Sequence, residues 1–345
     1  MAKSAIDPAM FYYKKKDRLR GMISLNVDDA VIAGDRCFHE DIMEPMFVRF
    51  KFGKRQAGDF NCLGWNIEQK QGQIWVSQID YAQTLKRLNI KQEGLMQKST
   101  VLTEANKSLV RRLVGKLRWV GDQSRPDICY ELLWLSITAA KPTVYEYDLA
   151  NQLVNRVKGR EVKLMYKKFK ESAKWYVSVF TDAALAGLPD KVSSPYGIVI
   201  FLSNGYEPRQ RNDCAIVHWR SAKVKRVISG PYDGEVLALA EGLEEGIVIR
   251  KQLLLMTGLK EDMIQVEGLC DNKGTVEAID SYVMKKAKGI RIGLEVAKIR
   301  EMKESGEVAS ISWLETNFQL ADALTKFRAA REPLLQAVET GKFMY

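Results

Sequence analysis

The sequence is poor in the residues that bind transition metals or form disulfides. Its 345 residues include two histidines, His39 and His218, and five cysteines, none of them spaced as Cys-x-x-Cys. We therefore do not expect histidine-based metal or catalytic sites, zinc sites or a disulfide framework. An odd number of cysteines without such spacing is typical of reduced thiols in the cores of an intracellular protein.

Long apolar runs are also missing. The chain has no stretch of about 18 consecutive apolar residues, which a membrane-spanning helix needs. Its first residues, MAKSAIDPAMFYYKKKDRLRG, lack the apolar core and the small-residue cleavage site of a signal peptide. We expect no membrane partner and predict an intracellular location, cytoplasmic or nuclear.

Positive charge is the most informative feature of the composition. The net charge is +10, and residues 1–173 hold the whole excess, with 30 Lys and Arg against 20 Asp and Glu. The densest part, named here the basic segment, contains seven cations: Arg156, Lys158, Arg160, Lys163, Lys167, Lys168 and Lys170. Tyr166 and Phe169 lie among them. This pattern favours contact with a polyanion, most commonly nucleic acid, although a solvated surface or a linker remains the alternative.

The spacing of apolar residues divides the chain into three parts. Residues 1–100 contain two hairpin patterns and a short helical one, and residues 101–173 are mostly helical in pattern. Residues 174–345 begin with three consecutive strands and continue with alternating helices and strands. This order predicts an α/β (α+β) fold whose third part is a five-stranded mixed sheet flanked by helices.

Four acidic residues occupy related places in this third part. They are Asp182 at the end of its first strand, Glu235 in the first turn of a long helix, Asp271 at the end of the fourth strand, and Asp322 on the helix after the fifth. Carboxylates at the ends of adjacent strands can converge with two others from neighbouring helices. Such a set suits two Mg²⁺ or Mn²⁺ ions, which can hydrolyse a phosphodiester. Four ordinary surface acids are the alternative.

The sequences around these acids resemble the copia type of LTR-retrotransposon polyprotein. FTDAALAG (180–187) is similar to SDADWAG, CDNKGTVEAI (270–279) to CDNQSAI, and FQLADALTK (318–326) to QLADILTK. GEVLALAEG (234–242) is similar to AEYMALSE. The resemblance implies a ribonuclease H domain, in which the four acids are the metal ligands and the catalytic residues.

The resemblance continues towards the start of the chain. RRLVGKLRWVGDQSRPDICYELLWLS (111–136) is similar to YRSLVGSLLYLTNTRPDIAYAVSLLS, and LNVDDAVIAG (25–34) is similar to YVDDMLIAG. It implies three domains: a truncated reverse-transcriptase palm at 1–100, a helical thumb or connection with the basic segment at 101–173, and a ribonuclease H-like domain at 174–345.

Asp28 and Asp29 would belong to the metal site of the polymerase. That site also needs a carboxylate from an earlier strand of the palm, and only 27 residues precede Asp28. Asn26 stands where the family has tyrosine. We therefore expect a relic pair that does not support polymerisation by this chain alone.

Two functions remain open at this point. One is metal-dependent endonucleolytic hydrolysis of RNA in RNA–DNA hybrids, with the hybrid as the partner and with other polyprotein-derived subunits as further partners. The other is a catalytically inactive, domesticated remnant that serves as a nucleic-acid-binding or structural subunit of a larger assembly.

Overall fold

The first part of the chain folds as a four-stranded antiparallel sheet with one helical segment. The computed structural model describes residues 1–89, 97–169, 174–204, 212–281 and 289–343. The strands, in spatial order, are β1 (Ala2–Lys3), β2 (Met10–Lys15), β3 (Arg18–Asn26) and β4 (Asp29–Gly34). Helices α1 (Arg36–Phe38) and α2 (Glu44–Arg49) are joined by a π-helical turn, His39–Met43. The ring of Phe38 lies against Gly21 and Gly34, where any side chain would collide with it.

A second sheet joins two distant stretches of sequence. Its strands, in order, are β5 (Phe60–Cys62), β6 (Trp65–Lys70), β7 (Gln73–Ser77) and β8 (Leu164–Lys167). The predicted hairpin with its turn between Lys70 and Gln73 is confirmed. Strand β8 comes from the basic segment and pairs with β7, so this sheet connects the first two predicted domains. The division into three domains stays a prediction.

Four helices lie between these strands. They are α3 (Ile79–Thr84), α4 (Glu104–Gln123), α5 (Cys129–Thr138) and α6 (Val144–Gly159). The three long ones agree with the mostly helical pattern of residues 101–173, and they bury Leu117, Leu132 and Leu153 in a common core. Thr143 and Glu146 form a capping box that fixes the start of α6. The polar composition of residues 92–103 predicts a linker, and residues 92–96 of it lie outside the described residues.

The third part contains the predicted five-stranded mixed sheet, which is confirmed. Its strands, in chain order, are β9 (Trp175–Ala183), β10 (Pro195–Ser203), β11 (Cys214–Lys223), β12 (Ile264–Cys270) and β13 (Ser310–Trp313). In space the order is β11, β10, β9, β12 and β13. The first three pair antiparallel, whereas β9, β12 and β13 are parallel. The carboxyl ends of the parallel strands therefore meet at one edge.

Helices cover both faces of this sheet. They are α7 (Pro231–Thr257), α8 (Lys273–Asp280), α9 (Ile290–Glu304) and α10 (Glu332–Thr340). Helices α7 and α9 pack on one face, against Val179 and Val266, and α10 packs on the other, against Phe180 and Phe201. No helix among the described residues is long and apolar enough to cross a membrane.

A buried polar network ties the helical part to the third part. Glu131 of α5 is 1% exposed, and its Oε1 accepts hydrogen bonds from Arg156 at 2.7 Å and Arg331 at 2.6 Å. Arg125 forms a two-bond ion pair with buried Asp127. Because Arg331 lies just before α10, this network fixes the helices to the five-stranded sheet.

Replacing Glu131 with Gln should lower the free energy of unfolding by about 3 kcal/mol, since two partly buried arginines lose their counter-ion. Chemical denaturation measures this loss. Glu104→Gln is the control, because Glu104 pairs with Lys107 at an exposed position and such pairs stabilise little. Equal effects of the two substitutions would contradict a structural role for the Glu131 network.

Candidate metal centre

Two strands bring the first pair of carboxylates together. Strands β9 and β12 are parallel neighbours, with Thr181 paired to Cys270. The next residue on each strand is a carboxylate, Asp182 or Asp271, so the two lie side by side where the strands end. Trp313 of β13 donates a hydrogen bond of 2.9 Å from Nε1 to the carbonyl oxygen of Asp271, which holds this end of β12 in place.

Glu235 reaches the same place from α7. The backbone N–H of Ala183 donates to its Oε1 over 3.4 Å, and the Cys270 thiol lies 3.7 Å from its Oε2. The prediction that Glu235 lies in the first turn of α7 is wrong, because Glu235 lies in the second turn. The helix begins at Pro231, a residue favoured at the first helical position, so Asp233 is the acid of the first turn.

Asp322 approaches from the opposite face of the sheet. It lies in a 3₁₀ helix, Leu320–Leu324, and not in a longer α-helix as predicted. The side chain of Gln319 fixes this turn, because its Nε2 donates to the Thr181 carbonyl at 2.9 Å while its Oε1 accepts from Ala321 N–H at 3.1 Å. The turn therefore follows the end of β9.

Two side chains that the sequence prediction missed belong to this centre. The ligand atoms of Glu235, Cys270 and Asp271 all lie within 4.8 Å of one another. Lys326 forms an ion pair with Asp322, and its Nζ lies 3.6 Å from Asp182 Oδ2. The spacing of Asp322 and Lys326, four residues apart, was the available signal for the lysine. In the sequence, the only feature of Cys270 that indicates a role in this centre is its position next to Asp271.

Burial makes the charged forms of these acids unfavourable. Asp182 is 2% exposed, and burial raises its pKa to about 6 despite the opposing effects of Lys326 and Thr325. Burial, followed by repulsion from Asp182 and Asp271, raises the pKa of Glu235 to about 9. Burial is also the main cause of the raised pKa of Asp271. Full ionisation of the three acids would therefore place more negative charge in the centre than its surroundings compensate.

The donor set fits a hard divalent cation. Carboxylate oxygens from three elements converge, and desolvated anions of this kind are stabilised by a bound cation. Within the part of the chain that the structure describes, Glu235, Cys270 and Asp271 form the only group of three side chains close enough to share an ion. The thiol is the one soft donor, and its pKa is raised well above the usual value, mainly by burial.

Asp28 and Asp29 lie elsewhere, at the tip of the β3–β4 hairpin. Val27, which precedes them, has a left-handed backbone (φ 54°) and is 94% exposed. Among the described residues, no third metal-binding side chain joins this pair. The tip therefore presents two exposed carboxylates and not a complete ion site.

The basic segment is mostly engaged within the protein. Arg156 pairs with Glu131, Arg160 with Glu332 and Glu339, Lys163 with Glu68, and Lys167 with Asp213. Lys158 donates to the carbonyl oxygens of Gln83 and Leu85. Lys168 is exposed, and Lys170 lies outside the described residues. At least five of the seven cations thus hold neighbouring elements together.

Comparisons with known proteins give structural neighbours only. No protein-family model and no curated protein matches the chain. It is similar to LC11-RNase H1, isolated from compost, at 19% identity over 44% of this chain and 92% of that one, with a TM-score of 0.31. It is also similar to a foamy viral protease-reverse transcriptase in complex with an RNA/DNA hybrid and with double-stranded DNA. Both matches have 11% identity, a TM-score of 0.46 and cover 85% of this chain. The chain spans 35% and 45% of those two reverse-transcriptase chains.

Protonation of Glu235 should make stability depend on pH. The folded-state pKa of about 9 exceeds the ordinary 4.5, so the folded protein binds this proton more tightly than the unfolded chain does. The stabilisation is complete below the ordinary pKa and is lost as the pH rises to about 9. Denaturant titrations with a chelator should show a decline over this window that is smaller in Glu235→Gln.

The matched control for this measurement is Glu244→Gln. Glu244 is an exposed residue of the same helix and pairs with Lys298. This variant should keep the pH dependence of the parent. If the stability of the parent and that of Glu235→Gln depended on pH to the same extent, this would contradict the burial of a protonated Glu235.

Proposed function

We propose that this chain is a copia-like reverse transcriptase/ribonuclease H polypeptide that hydrolyses the RNA strand of RNA–DNA hybrids with two divalent ions, Mg²⁺ or Mn²⁺. The observation that carries the proposal is that the ligand atoms of Glu235, Cys270 and Asp271 lie within 4.8 Å of one another at the end of β12, while buried Asp182 lies at the end of the neighbouring parallel strand β9. The copia assignment rests on the sequence motifs around these residues. On the Glu235 side, two neutral donors, the Ala183 N–H and the Cys270 thiol, contact the carboxylate, and no Lys or Arg in the described ranges forms an ion pair with it.

The four acids take different parts in the proposed reaction. Asp182 and Asp271 would bind both ions, and Glu235 and Asp322 would each complete the ligands of one. Bound there, the ions supply an activated water and stabilise the leaving oxygen of the cleaved phosphodiester. Glu235 has to release its proton before it can act as a ligand, so ion binding and deprotonation of the protein are coupled.

Polymerisation is not part of the proposal. Asp28 and Asp29 sit on one exposed hairpin, and within the described residues they lack the third ligand that a two-ion polymerising site would need. We propose that this pair is a relic. The pair has a local electrostatic effect. The pKa of Cys62 is raised mainly by burial and secondly by the negative charge of Asp29.

We further propose that the basic segment contributes to binding of the hybrid. Contacts to phosphates and to 2′-hydroxyls carry little sequence information, so weak sequence specificity is expected. The ion pairs of Lys163 and Lys167 would have to open for these two lysines to reach a phosphate.

A second candidate is a nucleic-acid-binding or structural subunit without catalysis. The observation in its favour is Lys326, which already neutralises Asp322 and lies close to Asp182. A centre neutralised by its own lysine could persist without ions. Cleavage assays distinguish the two candidates directly.

Replacing Asp271 with Asn should abolish Mg²⁺-dependent cleavage of a labelled RNA–DNA hybrid, because Asn keeps the shape but not the charge that a divalent ion needs. The rise in melting temperature on addition of Mg²⁺ should also largely disappear. Without ions the variant should melt no lower than the parent, since one of several crowded acids has been neutralised.

The control is Asp262→Asn. Asp262 is an exposed acid in the 3₁₀ turn Glu261–Met263, which leads into the opposite end of the same strand, β12. This variant should cleave and respond to Mg²⁺ as the parent does. A parent without cleavage and without an Mg²⁺ response would favour the binding subunit. Unchanged cleavage by Asp271→Asn would remove Asp271 from the ligand set.

Substituting Ala for Lys163, Lys167, Lys168 and Lys170 together should reduce the salt dependence of hybrid binding. The slope of log K against log salt should fall by about 0.9 for each lysine that contacts a phosphate. Lys251→Ala with Lys260→Ala is the control, because both residues lie towards the edge of the sheet away from the carboxylates. An unchanged slope with a lower melting temperature would show that the segment is structural only.

A further inference from the structure

The carboxylates of the metal centre divide into two halves with different partners. Gly268, two residues before Cys270, faces Leu239 and Leu243 of α7, so Cys270 points to the α7 face together with Glu235. Asp182, between Thr181 and Ala183, points to the opposite face. There the Thr325 hydroxyl donates to its Oδ2. Asp271 lies between the halves.

Only one of the halves has a cation of its own. The ammonium of Lys326 pairs with Asp322 and lies 3.6 Å from Asp182 Oδ2. No Lys or Arg in the described ranges forms an ion pair with Glu235 or Asp271. The lysine side chain is 44% exposed, so it approaches the buried Asp182 from the solvent side and has room to leave.

We propose that Lys326 is a displaceable internal cation that makes the two ion positions unequal. A first divalent ion binds at Glu235 and Asp271 with Lys326 in place, and a second ion binds at Asp322 only when the ammonium moves away. Asp182 and Asp271 each contact both ions only in this fully loaded state. This inference rests on the proposed two-ion function. The lysine stays protonated throughout, and it changes partners, not charge.

Electrostatic repulsion favours displacement of the Lys326 ammonium when the second ion binds. A divalent ion and an ammonium cannot share the same carboxylate oxygens at close range, because like charges repel strongly at a desolvated site. The displaced ammonium needs a new anionic partner, and a phosphate beside the centre would provide one. Binding of nucleic acid and loading of the second ion should therefore favour each other.

The test uses the full chain, stripped of metal, and Mn²⁺ as the probe in calorimetric titrations. The parent should bind one ion more tightly than the other. Lys326→Met keeps most of the side-chain length without the charge, and it should tighten the weaker position by about tenfold or more while the tighter position changes less. Lys326→Arg should retain the unequal pattern of the parent.

Lys303→Met is the matched control, since Lys303 pairs with Asp280 at 2.6 Å with similar exposure (38%) but lies away from the centre. It should leave both Mn²⁺ affinities unchanged. Addition of a hybrid with a non-hydrolysable RNA strand should tighten the weaker position of the parent and have a much smaller effect on Lys326→Met.

The outcomes separate this inference from the proposed function. Tightening of one position in Lys326→Met alone supports it. Unchanged or uniformly weaker affinities in a folded Lys326→Met, with normal hybrid cleavage by the parent, overturn the role of Lys326 and leave the nuclease intact. A parent that binds no Mn²⁺ and cleaves no hybrid overturns both. Thermal melts of every variant verify that it is folded.

Discussion

The parallel pairing of β9 with β12 is the constraint on which the centre depends. With Thr181 opposite Cys270, the residues that follow are both aspartates, and no other register would place them side by side. A shift of one residue would also turn the apolar side chains of β12 away from the cores on which α7 and α10 pack. The hydrophobic energy that fixes the register therefore also stabilises the crowding of Asp182 and Asp271.

The same coupling between packing and charge recurs outside the centre. The basic segment is the densest run of positive charge in the sequence, yet its side chains hold β8, α10 and the α3 region in place through ion pairs and hydrogen bonds. Glu131 forms ion pairs with Arg156 and Arg331, which come from distant parts of the chain. Positive charge in the basic segment and at Arg331 thus connects elements within the protein.

Local pattern was sufficient to predict the five strands of the third part. Of the four predicted acids, Glu235 and Asp271 lie in one group of possible ligands, and a site shared by all four stays a prediction. Alternating apolar residues define the strands, and an acid that closes a strand follows directly from the sequence. The helical start at Pro231 and the 3₁₀ turn around Asp322 were not predicted, since both depend on how the chain approaches the sheet. The partners of Arg160 and Lys163 lie far away in the sequence, so local pattern could not predict them. The spacing of Asp322 and Lys326 indicates their ion pair, but nothing local indicates that Lys326 also approaches Asp182.

The central claim is that the strand-end carboxylates bind divalent ions in the presence of an RNA–DNA hybrid. Anomalous diffraction from crystals grown with Mn²⁺ and a non-hydrolysable hybrid tests it most directly. We expect anomalous peaks within about 2.0–2.6 Å of carboxylate oxygens of Asp182, Glu235 and Asp271, which is the distance range of hard-cation ligands. Hybrid-bound crystals in which these oxygens lack anomalous density, while Mn²⁺ is found elsewhere on the chain, would contradict it.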